Sequence, residues 1–600
     1  MVFLRLALIL GLGSVGLCTT YSTIQDVPNI KWDFIIVGGG TAGSALAGRL
    51  TENPKFDVLV IEAGPTNEGV EDSIIPGLGP KTLSTRYDWN FTTVPQQGLN
   101  GRSIPYQRGH LLGGTSSVNG MVYTRGPASD YDRLARISGD SGWSWENIQS
   151  YLMKNEKLEQ PSDNHDVEGE LDPTMHSSMG KVAVTLPNDL SPAIDAATLQ
   201  ASKELGGDFQ FNIDMNSGKP LGVGWMQSTI GHDGTRSSSA TSYLDNQTRG
   251  RKNLHIVTDT FVTRVLKTPG AKGLTIRSVE IRSSNASEAV ILTAFKEVIL
   301  ASGTIGTPHI LLHSGIGDER DLKALNIETV LHNPSVGRNF TDHPGFFIPF
   351  SLAPNSIDMG PWVNLSTDPA LQAQALYLWK TNRTGPYVQY IPGHHIAWLR
   401  LPENSSIIKQ FGDPSSSQES AHIELMLGMS GRTYNAILLM VSPASRGSLT
   451  IKSNNPFDNP LIDPGYYSSQ FDLLTTREGI KSAVKFSKAP VWENVITGLL
   501  ANATTDAEID AFIRNNTVSG LHPVGTAAMS SVNASWGVVD PDLLVKRVSG
   551  LRIVDASVLP YVPSAHTQVI AYVVAERAAD MIKDKWRDVR ASSPLLVLQQ

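Results

Sequence analysis

The sequence predicts an α/β protein of two interleaved domains, and three observations carry this prediction. The chain has 600 residues, more than one ordinary hydrophobic core accommodates. Residues 33–43 read as a short apolar strand, a glycine turn and the start of a helix, and a second apolar strand follows at 58–61. Strand and turn signals recur much later, between residues 348 and 454. We therefore expect a Rossmann-like domain and a second domain built on a mostly antiparallel sheet with helices.

The glycine turn has the spacing G-x-G-x-x-G. Gly38 permits a tight turn, Gly40 lets the backbone approach a pyrophosphate, and Gly43 lets the helix pack closely on the strand. The helix start adds unpaired N–H groups and a positive dipole end. Glu62 ends the next strand, where its carboxylate can bind a ribose 2′-hydroxyl. The segment therefore predicts a dinucleotide site without a 2′-phosphate, and by itself it does not separate FAD from NAD.

Further segments are expected to complete the two domains. Short strands at 254–257, 261–265 and 298–300 are predicted to extend the dinucleotide sheet. A helix is predicted from about Asp506, and a last helix from 564 to 583. The C-terminal part of the chain thus returns to the first domain.

Composition excludes several classes of function. The formal net charge is -8, with 18% charged and 40% hydrophobic residues, which is typical of a soluble, mildly acidic globular protein. Lys and Arg are dispersed and form no basic patch with interleaved aromatics, so nucleic acid is not an expected partner. No metal site is predicted, and we expect a monomer.

The N-terminus predicts export. Arg5 precedes an apolar run at 6–17 that is too short to span a bilayer and is followed by small residues, so 1–20 is read as a cleaved signal peptide and no membrane partner is expected. The single cysteine, Cys18, lies inside this segment, so the mature protein should contain no disulfide. A secreted, extracellular glycoprotein is also indicated by ten N-glycosylation sequons. They begin at Asn90, Asn246, Asn285, Asn339, Asn364, Asn382, Asn404, Asn502, Asn515 and Asn533.

Two histidines are candidates for chemistry. His522 and His566 each stand in a predicted loop beside Gly or Pro, where a side chain can point into a cavity. Imidazole, with a pKa near ~6.5, can accept an alcohol proton at neutral pH. The residues alone leave open the alternative that both are buried structural histidines.

Several ordered motifs give the chain a family resemblance. From about residue 33 to 582 it resembles the glucose-methanol-choline (GMC) oxidoreductases, a family of FAD enzymes, and within that family the fungal aryl-alcohol oxidases. The motifs are the glycine turn, residues 108–120, 303–317, 537–543 and 551–557, both histidine segments, and, for the aryl-alcohol oxidases, 100–104 and 395–401.

The resemblance implies roles for the candidate catalytic residues. His522 is expected to take the hydroxyl proton while the α-hydride of the substrate passes to flavin N5, and His566 to hydrogen-bond the same oxygen. Glu424 matches a carboxylate near the histidine pair, with a solvent-facing acid at a strand end as the alternative.

The resemblance also implies how FAD is held. Glu62 is placed on the ribose, the glycine turn on the pyrophosphate, residues 113–120 around the isoalloxazine, Val262 at the adenine and Asp555 near the ribityl and pyrophosphate groups. The complete set is Gly38, Gly40, Thr41, Ala42, Gly43, Glu62, Gly113, Thr115, Asn119, Gly120, Met121, Val122, Val262, Asp555, Ala556, Thr567, Gln568 and Val569.

Three positions depart from the family patterns. Val118 stands where some secreted sugar dehydrogenases carry a histidine bonded covalently to flavin, so FAD should be non-covalent here. Gly120 and Leu521 replace aromatic residues that narrow the aryl-alcohol oxidase funnel, so a more open pocket is expected.

The resemblance also gives domain boundaries. The FAD-binding domain is expected at residues 28–93, 227–340 and 514–588. The substrate-binding domain and the loops over the cofactor are expected at 94–226 and 341–513, followed by a tail at 589–600.

Three functions remain compatible with these residues. The first is a secreted FAD oxidase that converts primary aromatic or allylic alcohols to aldehydes and reduces O2 to hydrogen peroxide. The alternative is a sugar or alcohol dehydrogenase, similar to pyranose dehydrogenases, that uses quinone acceptors. The segment 119–126 favours this alternative. A hydroxynitrile lyase, in which FAD is only structural, is the third.

Overall fold

The computed structural model describes residues 20–284, 286–390, 393–499 and 504–587. Most of the predicted signal peptide, including Cys18, lies outside the described residues, as do the sequons at Asn285 and Asn502 and the predicted tail at 589–600. Within the described ranges, no helix is both long and apolar enough to cross a bilayer.

The first domain is built on a six-stranded sheet in which every neighbouring pair is parallel. Five of its strands are fully buried, as expected for a parallel sheet covered on both faces. The strands, in order across the sheet, are Thr20–Tyr21, Leu254–Val257, Val58–Ile61, Phe34–Val37, Glu297–Leu300 and Leu551–Ile553. The predicted Rossmann-like domain is confirmed.

One predicted strand belongs elsewhere. Phe261–Lys267 does not join the parallel sheet; it pairs antiparallel with Ile276–Arg282, which pairs with Val290–Thr293. Burial alternates along Phe261–Lys267, whereas the parallel strands are buried throughout. Alternating burial is typical of a sheet with one solvated face, whereas the strands of a parallel sheet covered on both faces are buried throughout.

Helix Thr41–Leu50 packs on the parallel sheet, and the C-terminal helix Gln568–Lys585 packs on that helix. An ion pair of 2.9 Å between Arg49 and Glu576 joins the two helices. The C-terminal helix begins four residues later than predicted, since residues 564–567 remain a loop. His566 therefore projects from a loop and not from a helix face.

The second domain is built on an antiparallel sheet, as predicted. Helices Pro192–Leu205 and Gln470–Phe486 pack on one face of it. Its strands, in order, are Ile496–Leu499, Pro344–Leu352, Thr433–Met440, Ile423–Ser430, Gly393–Leu399 and Gly222–Trp225, with Val518–Ser519 also paired to Pro344–Leu352. The remaining α-helices of six or more described residues are Ala128–Ser138, Trp145–Asn155, Gly303–His313, Glu319–Ala324, Pro369–Asn382, Ser406–Phe411 and Asp506–Asn516.

Candidate active site

A cavity of about 650 Å³ lies where the two sheets face each other. Val37 and Ile61, at the carboxyl ends of two parallel strands, line one end. Met426 and Leu439, from the antiparallel sheet, line the other. Ligands of open α/β sheets bind at the carboxyl ends of the strands, so the fold alone marks this cavity as a binding site.

The glycine turn leaves backbone exposed to the cavity. Gly38 has a φ of +98°, and a Cβ there would lie 2.7 Å from the carbonyl oxygen of Ala301. A Cβ at Gly43 would lie 1.9 Å from the carbonyl oxygen of Gly38, so close packing of helix on strand requires glycine. At Gly40, which lines the cavity, the nearest atom to such a Cβ is 3.8 Å away. This open space suits a pyrophosphate.

Glu62 is held at the edge of the cavity by the backbone. Its two carboxylate oxygens accept hydrogen bonds of 2.8 Å from the N–H groups of Gly39 and Gly64. Burial raises the pKa of this carboxyl to about 7, although both hydrogen bonds oppose the rise. The carboxyl group is thus held in a fixed position at the cavity, where it can accept a hydrogen bond from a ligand hydroxyl.

His522 and His566 are in edge-to-face contact at the other end of the cavity. Their ring centroids are 4.4 Å apart, with an angle of 67° between the ring planes, and both residues line the cavity. They come from loops 44 residues apart in the chain. The backbone N–H of His522 donates to Asp342 Oδ1 at 2.7 Å, and that of His566 to Thr124 Oγ1 at 2.8 Å.

A third histidine, His343, was not predicted from the sequence and contacts His522. His343 Nδ1 lies 3.0 Å from His522 Nδ1, and the His343 side chain is completely buried. The adjacent Asp342 accepts hydrogen bonds from the backbone N–H groups of both histidines and from the hydroxyl of Tyr106 at 2.7 Å. The one available signal was an Asp-His pair just before the strand and turn signals that begin at residue 348.

The environment keeps both bonded histidines neutral. Burial lowers the pKa of His343 to about 3 and the pKa of His522 well below its ordinary value. An electrostatic interaction with His566 adds to the lowering of both pKa values. Each ring therefore carries one hydrogen at neutral pH, and one of the two rings donates to the other.

Glu424 contacts His566 but lies outside the cavity. Its Oε1 lies 2.8 Å from His566 Nε2, and its side chain is fully buried within the strand Ile423–Ser430. The alternative expectation of a solvent-facing acid is therefore wrong. Glu424 does not line the cavity, so its influence on a ligand passes through His566.

Most of the predicted cofactor residues meet at this cavity. Gly43, Gly113 and Val569 do not line it: the two glycines are packed against backbone or Ser117, and Val569 is buried in the core. Those that line it are Gly38, Gly40, Thr41, Ala42, Glu62, Thr115, Asn119, Gly120, Met121, Val122, Val262, Asp555, Ala556, Thr567 and Gln568.

Asp555 lies beside the parallel strands at this cavity. It accepts hydrogen bonds from the N–H of Gly303 at 3.0 Å and from the hydroxyl of Thr307 at 2.6 Å. Burial raises the pKa of its carboxyl. The carboxylate is thus held by the first turns of helix Gly303–His313 and can orient a hydroxyl of a bound cofactor.

The histidine end of the cavity opens through an apolar mouth. Phe347 and Val518 line it while remaining 57% and 41% exposed, and Ile437 and Leu521 continue the apolar surface inward. Leu521 has a φ of +62°, a left-handed conformation that a leucine rarely adopts. Gly120, the other position that departs from the aromatic pattern, also lines the cavity.

Two family models match the chain. Both are described as GMC oxidoreductase, and they cover residues 32–345 and 443–575. The chain belongs to the GMC oxidoreductase family. FAD is therefore its cofactor, and the open glycine cradle and Glu62 fit that molecule.

Relatives of this GMC oxidoreductase with similar length include dehydrogenases. "Dehydrogenase eriK" of Hericium erinaceus is 41% identical over 96% of this chain and 98% of its own. "Pyranose dehydrogenase 3" of Leucoagaricus meleagris is 39% identical over 94% of this chain and 95% of its own. A solved structure of a fungal aryl-alcohol oxidase has a TM-score of 0.81 and 24% identity, covering 93% of this chain and all of that one. That last likeness concerns the fold alone.

Proposed function

We propose that this GMC oxidoreductase is a secreted dehydrogenase that oxidises primary alcohols with an apolar, aromatic or allylic body and passes the electrons to a quinone. The observation that carries the proposal is the pair His522 and His566, whose ring centroids are 4.4 Å apart at the inner end of an apolar mouth. A hydroxyl in contact with both imidazoles meets a proton acceptor on one and a hydrogen-bond donor on the other.

His522 is the proposed general base, and its bond to His343 decides which nitrogen is available. His343 Nδ1 is engaged with His522, and His343 Nε2 has no hydrogen-bond partner among the described residues. In the proposed arrangement His343 carries its hydrogen on Nε2, and its Nδ1 accepts the Nδ1–H of His522. His522 Nε2 then keeps its lone pair for the hydroxyl proton of the substrate.

His566 is the proposed partner of the alcohol oxygen. Its Nε2 is bonded to Glu424, so its Nδ1 is the nitrogen left for the substrate. A buried carboxylate behind an imidazole orients the ring and stabilises positive charge on it. This pair would stabilise the alkoxide that develops as the proton leaves.

The remaining predicted residues are proposed to hold FAD without a covalent bond. Glu62 and the glycine turn bind its adenosine and pyrophosphate part, and residues 113–122 with 555–556 and 567–568 surround the rest. When bound, FAD supplies the acceptor for the substrate hydride and releases the electrons to a second substrate. Val118 lines the cavity and has no atom that forms a flavin bond.

The relatives favour a dehydrogenase over the oxidase that the sequence alone favoured. The two dehydrogenases are 39–41% identical, whereas the aryl-alcohol oxidase structure is 24% identical. The apolar mouth, with Phe347, Val518 and Ile437, favours a substrate less polar than a pyranose. Secretion is supported by the apolar N-terminal segment and the sequons.

The test compares 4-methoxybenzyl alcohol with glucose, using 1,4-benzoquinone or air as the acceptor. We expect quinone reduction with the aryl alcohol, at a higher kcat/KM than with glucose, and little peroxide in air. Peroxide formed as fast as quinone is reduced would establish the oxidase instead. Higher activity on glucose would contradict the apolar substrate. A protein that cleaves mandelonitrile, and whose flavin is not bleached by alcohol under anaerobic conditions, would be a hydroxynitrile lyase.

A further inference from the structure

Arg236 is a buried cation with no opposite charge. Six lysines and arginines among the described residues are buried, and five of them pair with a carboxylate. Arg236, which is 3% exposed, has no carboxylate within ion-pair distance in the described part of the chain. The paired residues are Arg125, Lys296, Lys546, Arg552 and Arg577.

Backbone and amide oxygens hold Arg236 in place. Its Nε donates to the carbonyl of Ser73 at 2.8 Å, and its Nη1 donates to the carbonyl and the side-chain oxygen of Asn119 at 2.7 and 2.8 Å. Its Nη2 has no hydrogen-bond partner among the described residues. Burial lowers the pKa of the guanidinium to about 10, so it stays charged at neutral pH. Neutral oxygens accept hydrogen bonds from its Nε and Nη1, but the hydrogens on Nη2 have no partner among the described residues and the net charge is not cancelled.

Arg236 lies behind the histidine end of the FAD cavity. Asn119 lines the cavity, and its amide donates to Oε1 of Gln568, which also lines the cavity. Gln568 is two residues beyond His566 in the chain. Through Asn119 and Gln568, Arg236 is thus connected to the histidine end of the cavity, where oxidation is proposed to take place. Among the described residues, it makes no direct hydrogen bond to the glycine turn that suits the pyrophosphate.

An uncompensated charge in a protein interior is costly, and its field is screened less than in water. Such a group is tolerated where an opposite charge comes close in the working state. Reduction of FAD by two electrons with uptake of one proton converts the neutral isoalloxazine to an anion. We propose that Arg236 is the counter-charge of reduced FAD and that it makes the bound cofactor easier to reduce.

The test measures the two-electron midpoint potential of the bound flavin in the purified holoenzyme. Dithionite is the reductant, so the result does not depend on the alcohol proposed above. In Arg236→Met we expect the affinity for reduced FAD, relative to oxidised FAD, to fall at least tenfold, which lowers the potential by about 30 mV for a two-electron couple. Arg236→Lys keeps the charge, so its midpoint potential should lie between the potentials of Arg236→Met and the wild type.

Lys481→Gln is the matched control, because it removes one positive charge from an exposed side chain of helix Gln470–Phe486. It should leave the potential unchanged. An Arg236→Met holoenzyme with the wild-type potential would overturn the proposal. If that variant does not fold, Arg236→Gln takes its place, since glutamine can still donate to Asn119.

The wild-type protein provides an independent measurement. At a pH where free reduced FAD takes up a second proton, the reduced enzyme should keep the absorption spectrum of the anionic form. The spectrum of neutral reduced flavin under those conditions would contradict a counter-charge at Arg236.

Discussion

His343 Nδ1 lies 3.0 Å from His522 Nδ1, inside a region where burial keeps both rings neutral. In the proposed mechanism this bond sets the tautomer of His522 and so decides whether its cavity-facing nitrogen can accept a proton. In His343→Phe, which lacks an acceptor, we expect flavin reduction to slow by ~10-fold to ~100-fold, less than the ~10²–10⁴ of a general base itself.

The measurement is anaerobic stopped-flow reduction of the flavin, together with the FAD content and KM of the variant. A positioning role predicts a lower rate at full FAD content and similar KM. Partial recovery is expected in His343→Gln, whose amide oxygen can accept the His522 N–H. Wild-type rates in His343→Phe would contradict the tautomer argument.

Replacement of His522 by alanine tests the base directly. We expect flavin reduction by the alcohol to fall by ~10²–10⁴, since proton removal and hydride loss are coupled, while FAD stays bound. His232→Ala, at an exposed histidine, serves as the control. Retained turnover in His522→Ala would assign the proton to another group.

The absence of a nucleophile at position 118 predicts a dissociable cofactor. Acid precipitation of the purified protein should release the yellow flavin into the supernatant, because Val118 lines the cavity without a group that bonds to it. Absorbance of the supernatant at the flavin maximum measures this release. Flavin that remains with the pellet would mean a covalent link through another residue.

Stability should decline in alkali because of His176. This histidine lies between Glu156 and Asp214, 2.6 Å from each; burial alone would lower its pKa, but the two hydrogen bonds raise it to about 9. The ordinary pKa of histidine is lower, so the contribution of His176 is complete below pH ~6.5 and is lost as the pH rises through about 9. The loss is on the order of 3 kcal/mol.

Denaturant unfolding between pH 6 and 10 measures this loss. His176→Gln should be less stable than the wild type at pH 6, and its free energy of unfolding should depend less on pH between 7 and 10. Parallel curves for the two proteins would show that His176 is not the group responsible.

The local parts of the site could be predicted from sequence. The turn from Gly38 to Gly43 and the acid at Glu62 depend on neighbours within the same βαβ unit, so their spacing already defines them. The loops that carry His522 and His566 were recognised from their Gly and Pro neighbours and from the family resemblance. The distance of 4.4 Å between the two ring centroids could not be predicted from the sequence.

Other features were missed because they depend on contacts between distant segments. Residues 261–267 form a regular strand in either sheet, and only packing decides which sheet it joins. Arg236 stands among serines in the sequence, and only the assembled domain shows that no carboxylate in the described chain pairs with it.

The sequence by itself determined the fold class, the cofactor end of the cavity and the two loops that carry the histidines. These depend on periodicity, glycine geometry and short-range spacing, which a linear sequence records. The tertiary structure decided which side chains are bonded to the site: His343 to His522, Glu424 to His566, and Arg236 to Asn119. Protonation and charge depend on burial and on neighbours from distant segments, and the sequence does not record either of these.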